Sequence, residues 1–273
     1  MKSNRRRKNK KKPKKGIYVL PNLFTSASLF CGFYAIVAAI QGRYESAAIA
    51  ILIACLLDGL DGKVARFTNT TSHFGTEYDS LSDLVAFGVA PGILAFQWAL
   101  EPFGRLGWLA SFMYVICGAL RLARFNVQKT TVEARYFKGL PIPAAAGFIA
   151  ALILFTTAIG GAPDSRHILF IVMIYVLSFL MVSTIDYFSF KDLELKNRKP
   201  FNVLVGIILV FIVIAYKPKI MLFGILLAYV VSGPVVSTYR YRKRRAAKLS
   251  EKLPSVAPAK DDITVAEDPG GAP

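Results

Sequence analysis

The sequence predicts an all-α polytopic membrane protein with about eight transmembrane helices, and three observations carry that expectation. Hydrophobic residues make up 54% of the 273-residue chain, and mean hydropathy is +0.46. The same chain holds 34 Lys+Arg against 17 Asp+Glu, so charge must be segregated from the apolar sequence. It is: eight apolar stretches, roughly 20–41, 44–66, 78–100, 106–125, 141–161, 165–186, 201–217 and 219–239, each approach the length that crosses a bilayer.

Taken in order, residues 1–18 form a polybasic segment, with ten Lys or Arg among the first fifteen residues and no acid. Beside a membrane span such a run is held by anionic lipid headgroups, at about 1 kcal/mol per basic residue. Anionic membrane lipids are therefore the expected partner here, and nucleic acid is not. The apolar run from Ile17 to Ile40 is too long for a cleavable signal and lacks a small-residue cleavage site, so it reads as the first span. The second stretch ends in the acid-rich sequence discussed below, and the fourth ends at Arg121 and Arg124. The small-residue runs Ala47-Ala48 and Ala144-Ala-Ala146-Gly147 suit close helix packing, within one chain or between two copies in a homodimer. The last two stretches are short and closely spaced, which leaves counts of six or seven spans open.

With the N-terminus inside, 29 Lys or Arg fall on the inner side, against Arg43, Arg105, Arg166, Lys217 and Lys219 on the other. That asymmetry satisfies the positive-inside rule without forcing any loop. Both termini are expected on the cytoplasmic face of the inner membrane. Residues 19–240 form the transmembrane domain in this reading, and residues 241–273 form a cytoplasmic tail, basic at first. Beyond about Leu249 the tail is rich in Pro, Ala and acid, lacks apolar periodicity and is expected to be disordered.

The most informative segment runs from Asp58 to Asp83. Asp58, Asp61, Asp79 and Asp83 lie inside or beside strongly apolar sequence, where a charge costs several kcal/mol unless a partner or a water-filled cavity accepts it. Asp58 and Asp61 are three apart and Asp79 and Asp83 four apart, so on helices each pair shares a face. A turn at the polar stretch Thr68–His73 would bring all four together at one end of the spans. Four such carboxylates repel one another without cations, and hard oxygen ligands suit Mg²⁺ or Mn²⁺, with Ca²⁺ an alternative. Two divalent ions would offset the four charges and leave room for a phosphate-bearing substrate. Solvated headgroup-level charge is the bland reading of one Asp-Gly pair, and it does not account for four Asp with Gly62, Ala65, Arg66 and Gly75 at these spacings. Gly62 and Ala65 keep the helix surface low, and Arg66 supplies a planar positive fork for phosphate. The sequence has no Walker-type phosphate loop, so metals must carry most of the phosphate charge.

Other reactive residues point to packing. Cys31, Cys55 and Cys117 are too dispersed for a zinc pattern, and an odd, apolar set gives no disulfide framework. His73 and His167 have no companion at metal-binding spacing.

The pattern D-x2-D-G-x2-A-R-x8-G-x3-D-x3-D resembles the signature of the CDP-alcohol phosphatidyltransferases and is complete from Asp58 to Asp83. The resemblance implies a six-helix membrane core with a cytoplasm-facing site, a CDP-linked lipid donor such as CDP-diacylglycerol, and an alcohol acceptor. It implies Asp58, Asp61 and Asp79 as metal ligands, with Asp83 as both ligand to a second metal and catalytic base. It further implies that Gly62, Arg66 and Ser72 contact the nucleotide or diphosphate, beside Ala65 and Gly75. The segment Pro21-Asn22-Leu-Phe-Thr25 is similar to one whose polar residues, here Asn22 and Thr25, approach the cytidine.

Three further stretches resemble the branch of that family that uses L-serine: Gly118-Ala-Leu-Arg121-Leu-Ala-Arg124-Phe-Asn126, Phe137-Lys138-Gly139-Leu-Pro141-Ile-Pro143, and Met181-Val-Ser183-Thr184 with Asp186-Tyr-Phe-Ser-Phe190-Lys191. Arg121 or Arg124 could pair with a serine carboxylate, Asn126 could take a polar hydrogen of the acceptor, and Lys138 joins the same set. The plain alternative for these basic residues is a positive-inside rim. Glycerol phosphate and inositol phosphate remain alternative acceptors. A cation- or proton-coupled transporter would place its acids near mid-span and show internal repeats; here the acids cluster at one inner end.

Overall fold

A computed structural model describes residues 19–67, 73–129, 137–161, 168–187 and 217–252. Helix α1 (Val19–Ile40) and helix α2 (Tyr44–Phe67) form an antiparallel hairpin. Gly42 stands at φ 72, and the amides of Gly42 and Arg43 close back onto Ala39 O at 3.0 Å and Ala38 O at 2.8 Å. That left-handed glycine cap satisfies the last carbonyls of α1 and reverses the chain. Ala35, Ala38 and Ala39 of α1, with Ala47, Ala48 and Ala54 of α2, are buried with small side chains that let the backbones approach.

Helix α3 (His73–Asp83) runs without a break into a π-helical turn at Leu84–Val89, helix α4 (Ala90–Ala95), a second π turn at Phe96–Leu100 and a 3₁₀ turn at Glu101–Phe103. Helix α5 (Arg105–Lys129) returns. The two-residue strands β1 (Phe137–Lys138) and β2 (Asp186–Tyr187) pair antiparallel, Phe137 opposite Tyr187. Between them lie helices α6 (Ile142–Ala158) and α7 (Ile168–Val182), and helix α8 (Pro218–Lys252) closes the described chain.

Two helix-interior prolines are accommodated in the same way. Proline has no N–H for the carbonyl one turn back. Behind Pro91 that carbonyl is Phe87 O, which the buried Tyr114 hydroxyl engages at 3.1 Å. Behind Pro234 it is Val230 O, which the buried Tyr187 hydroxyl engages at 3.1 Å. At the end of α2 remote from the aspartates, Glu45 pairs with Lys219 of α8 and accepts from Thr157 Oγ1 of α6 at 3.0 Å.

Apart from this short strand pair the described elements are all helices, as expected of an all-α membrane protein. Among the described residues four segments are long and apolar enough to cross a bilayer: Pro21–Ile40, His73–Phe103, Arg105–Val127 and Pro218–Thr238. Helix α2 has 24 residues but carries Glu45 at one end and Asp58, Asp61 and Lys63 at the other. Helices α6 and α7 are shorter and apolar. The stretch 201–217 lies almost wholly outside the described residues, as do residues 1–18.

Two boundaries differ from the hydropathy reading. The third helix begins at His73 rather than near 78, because its first turns are polar and hydropathy cannot see them. The last helix continues to Lys252, so the basic run Arg240–Arg245 is helical and the helix passes Leu249. Long Lys and Arg stems, good helix formers, sustain it beyond the apolar stretch.

Candidate metal centre and active site

Three carboxylates converge where α2 ends and α3 begins. Asp58 and Asp61 are one turn apart on α2, and with Asp79 of α3 they place one ligand oxygen each within 4.8 Å of one another. Asp61 is only 6% exposed. Its Oδ2 accepts from Thr25 Oγ1 of α1 at 3.0 Å, and its carboxyl also accepts from the Gly62 backbone N–H. Asp83, one turn beyond Asp79, makes a side-chain hydrogen bond with Asp58 and feels the charges of Asp79 and Asp61.

Hydrogen bonds between helices hold this arrangement. Ser82 Oγ, buried beside Asp83, donates to Thr25 O at 3.1 Å. Ser26 Oγ and Tyr78 OH are 2.9 Å apart, and Ser28 Oγ donates to Ala54 O at 3.2 Å. Thus α1 is bonded to α2 and to α3 on either side of the cluster. Gly32 of α1 is pressed so close to the π turn after Asp83 that an added Cβ would lie 2.6 Å from Ala86 Cα.

The cluster fits divalent cations. Two carboxyl groups in hydrogen-bond contact need a proton or a cation between them. Three acidic oxygens within 4.8 Å, without a nitrogen or sulfur ligand among them, are a hard-ion set.

Of the other expected residues, Asn22 is half-buried on α1, its carbonyl accepting from Ser26 Oγ at 2.8 Å, and Gly75 is half-buried in the first turn of α3. Ala65 and Arg66 lie on the last turn of α2, with side chains outside the described set, and Ser72 lies outside the described residues. Near the end of α5, Asn126 Nδ2 donates to Ser80 Oγ at 2.9 Å, beside Asp79. Asn126 Oδ1 is buried with no hydrogen-bond partner among the described residues.

Arg121 and Arg124 face a second polar cluster. Arg124 Nη1 donates to Val182 O at 3.2 Å. Arg121 has Tyr229, Arg124 and Tyr187 as its electrostatic neighbours, and its Nη1 lies 3.2 Å from where a Cβ on Gly139 would stand. Lys138 is in β1, its side chain outside the described set. Burial and the neighbouring Tyr229 push the Tyr187 hydroxyl up to about 12, with Arg121 acting the other way. Tyr187 therefore remains a hydrogen-bond donor at neutral pH. Ser26, Tyr78, Ser82, Tyr187 and Tyr229 carry no local sequence signal for a role here, because each acts through a partner remote in sequence.

A sequence model of the family described as CDP-alcohol phosphatidyltransferase matches residues 18–182. A CDP-diacylglycerol–serine O-phosphatidyltransferase of Helicobacter pylori is 42% identical over 196 residues, covering 72% of this chain and 83% of that protein. A Bacillus subtilis protein of the same name is 36% identical over 178 residues, 65% of this chain and 94% of the relative. An archaetidylserine synthase of Methanothermobacter thermautotrophicus is 40% identical over 170 residues, 62% of this chain and 69% of the relative.

Proposed function

The chain belongs to the CDP-alcohol phosphatidyltransferase family, and on that premise we propose that it transfers a phosphatidyl group from CDP-diacylglycerol to the hydroxyl of L-serine, giving phosphatidylserine and CMP. The observation that carries the chemistry is the convergence of Asp58, Asp61 and Asp79 with Asp83 in hydrogen-bond contact. Support for serine comes from relatives in bacteria and an archaeon whose names share serine while their lipids differ.

Asp58, Asp61, Asp79 and Asp83 would hold two divalent ions, Mg²⁺ or Mn²⁺, which when bound neutralise the donor diphosphate and the charge developing on the leaving CMP. Asp83 takes the proton of the serine hydroxyl as its oxygen attacks the lipid-side phosphorus. The bond from that phosphorus to the CMP oxygen breaks, and CMP leaves with the electron pair. Thr25 and the Gly62 amide fix Asp61. Arg66 and Ser72 would contact the diphosphate beside Gly62, Ala65 and Gly75, and Asn22 would contact the cytidine. Arg121 or Arg124 receives the serine carboxylate, Lys138 adds positive charge, and Asn126 Oδ1 accepts a hydrogen from the acceptor's ammonium group.

In the membrane we read about eight spans, six of them forming the catalytic core. Residues 1–18 and 241–273 are cytoplasmic flanks of the 19–240 domain, the former lying against anionic lipid; Ala47, Ala48, Ala145 and Ala146 are buried within the chain, so the small-residue runs pack helices of one copy and a homodimer would use other faces. With the site at the inner face, acyl chains stay in the bilayer while serine and cytidine arrive from the cytoplasm.

Purified protein in nanodiscs, given Mn²⁺ or Mg²⁺ and CDP-diacylglycerol, should release CMP on addition of serine, with phosphatidylserine formed in equal amount. CMP release with glycerol phosphate or inositol phosphate and not with serine would overturn the acceptor. No release with any alcohol would overturn the reaction.

Orientation has its own expected outcome. In a variant lacking Cys31, Cys55 and Cys117, a cysteine at Ser3 or Ser250 should resist impermeant thiol reagents in intact cells. A cysteine at Gln41, exposed in the α1–α2 turn beside the left-handed Gly42, should react. Labelling of the two tails from outside would reverse the topology.

A further inference from the structure

The strand pair and the last helix are joined by a contact that the mechanism above does not use. Pro234 leaves Val230 O without its helical N–H partner, and the Tyr187 hydroxyl takes that place at 3.1 Å. The Tyr187 ring occupies the space beside Gly233, where an added Cβ would fall 2.3 to 2.7 Å from its carbons. A glycine, a proline and a freed carbonyl on α8 therefore make one seat for one side chain.

Tyr187 ends β2, and β2 is bonded to the segment that borders Arg121. Lys138 pairs with Asp186, and the Gly139 amide donates to Ile185 O at 2.8 Å. Gly139 itself is at φ 81, and a Cβ there would meet Met181 O at 2.4 Å and Arg121 Nη1 at 3.2 Å. Contacts thus run unbroken from Val230 through Tyr187 and the strand pair to Gly139 and the Arg121 guanidinium.

We propose that Tyr187 is a positioning residue for the acceptor: seated on Val230 O and Gly233, it fixes the strand pair against which Arg121 presents its guanidinium to the acceptor carboxylate. This rests on the reading of serine as acceptor given above. An arginine–carboxylate pair is bidentate and tolerates little angular error, so loosening the strand pair weakens acceptor binding first. The CDP-lipid residues within the described chain belong to α1, α2 and α3, apart from the strand pair, and donor binding is expected to be little affected.

Three variants of the full chain test this: Tyr187→Phe, Pro234→Ala and the double variant. Tyr187→Phe keeps the ring and removes the hydroxyl, leaving Val230 O unmet in a buried place. It should lower thermal stability and raise the serine KM by about fivefold to tenfold, with the CDP-diacylglycerol KM within about twofold of the parent. Pro234→Ala returns an N–H to Val230 O, so in the double variant thermal stability should recover while the serine KM stays raised. A serine KM unchanged in Tyr187→Phe, or one that returns to the parental value together with stability in the double variant, would overturn the positioning role and leave Tyr187 a structural cap. The parent protein is the control for the underlying reading. If the parent releases CMP with a different alcohol and not with serine, serine falls as the acceptor, and a Tyr187→Phe rise in that alcohol's KM would keep the positioning role with a phosphate in place of the carboxylate at Arg121.

Discussion

Asp83→Asn should lower turnover by about 10²–10⁴-fold, the usual contribution of a positioned general base, while metal-dependent binding of CDP-diacylglycerol largely survives. Asp58→Asn, Asp61→Asn and Asp79→Asn should instead abolish that binding, because each removes a charge from the three-oxygen cluster while nearly keeping side-chain shape. The geometry motivates the distinction: ligand oxygens of these three lie within 4.8 Å of one another, whereas Asp83 meets the group through its bond to Asp58. Metal-dependent donor binding measured beside turnover in all four variants separates the roles. Near-normal turnover in Asp83→Asn would mean that the base lies elsewhere. Loss of donor binding as complete as in the other three would make Asp83 chiefly a ligand and leave the serine proton to another group.

The convergence of the aspartates was legible because two physical costs act on the same residues. Charge in apolar sequence demands a partner, and spacings of three and four put each pair on one helical face. The polar start of α3 was not legible from hydropathy, since its first turns carry Thr76, Glu77, Asp79 and Ser80 and serve the site instead of lipid. The π turn after Asp83 leaves almost no periodic trace, because widening by one residue per turn over Leu84–Val89 alters the apolar pattern very little. Tyr114 and Tyr187 were invisible for a different reason. Their partners are carbonyls freed by Pro91 and Pro234, 27 and 43 residues away from the tyrosines, and no local pattern joins a buried phenol to a distant proline. Arg121 could be read from sequence either as rim or as site; the structure sets it, half-buried, beside Gly139, Tyr187 and Tyr229.

Gly32→Ala is expected to damage the site from a distance. An added Cβ would lie 2.6 Å from Ala86 Cα and 2.8 Å from Ala86 Cβ, where carbon contacts settle near 3.5–4.0 Å. Backbone cannot yield as a flexible side chain would, so α1 must move away from the π turn by roughly 1 Å. Two bonds tie α1 to its neighbours close to the chemistry: Thr25 Oγ1 to Asp61 of α2 at 3.0 Å and Ser82 Oγ of α3 to Thr25 O at 3.1 Å. Overpacking of this kind costs about 1–3 kcal/mol of stability, and misplacement of a reacting group by about 1 Å can cost about 10²-fold in rate. Gly224→Ala on α8 is the matched control, because nothing lies within 4 Å of a Cβ there; it should leave turnover unchanged. Thermal unfolding in the same lipid and CMP release under saturating substrates are the measurements. Parental stability and turnover in Gly32→Ala would show that α1 can shift without disturbing Asp61, and that the Thr25 bond does not set its position.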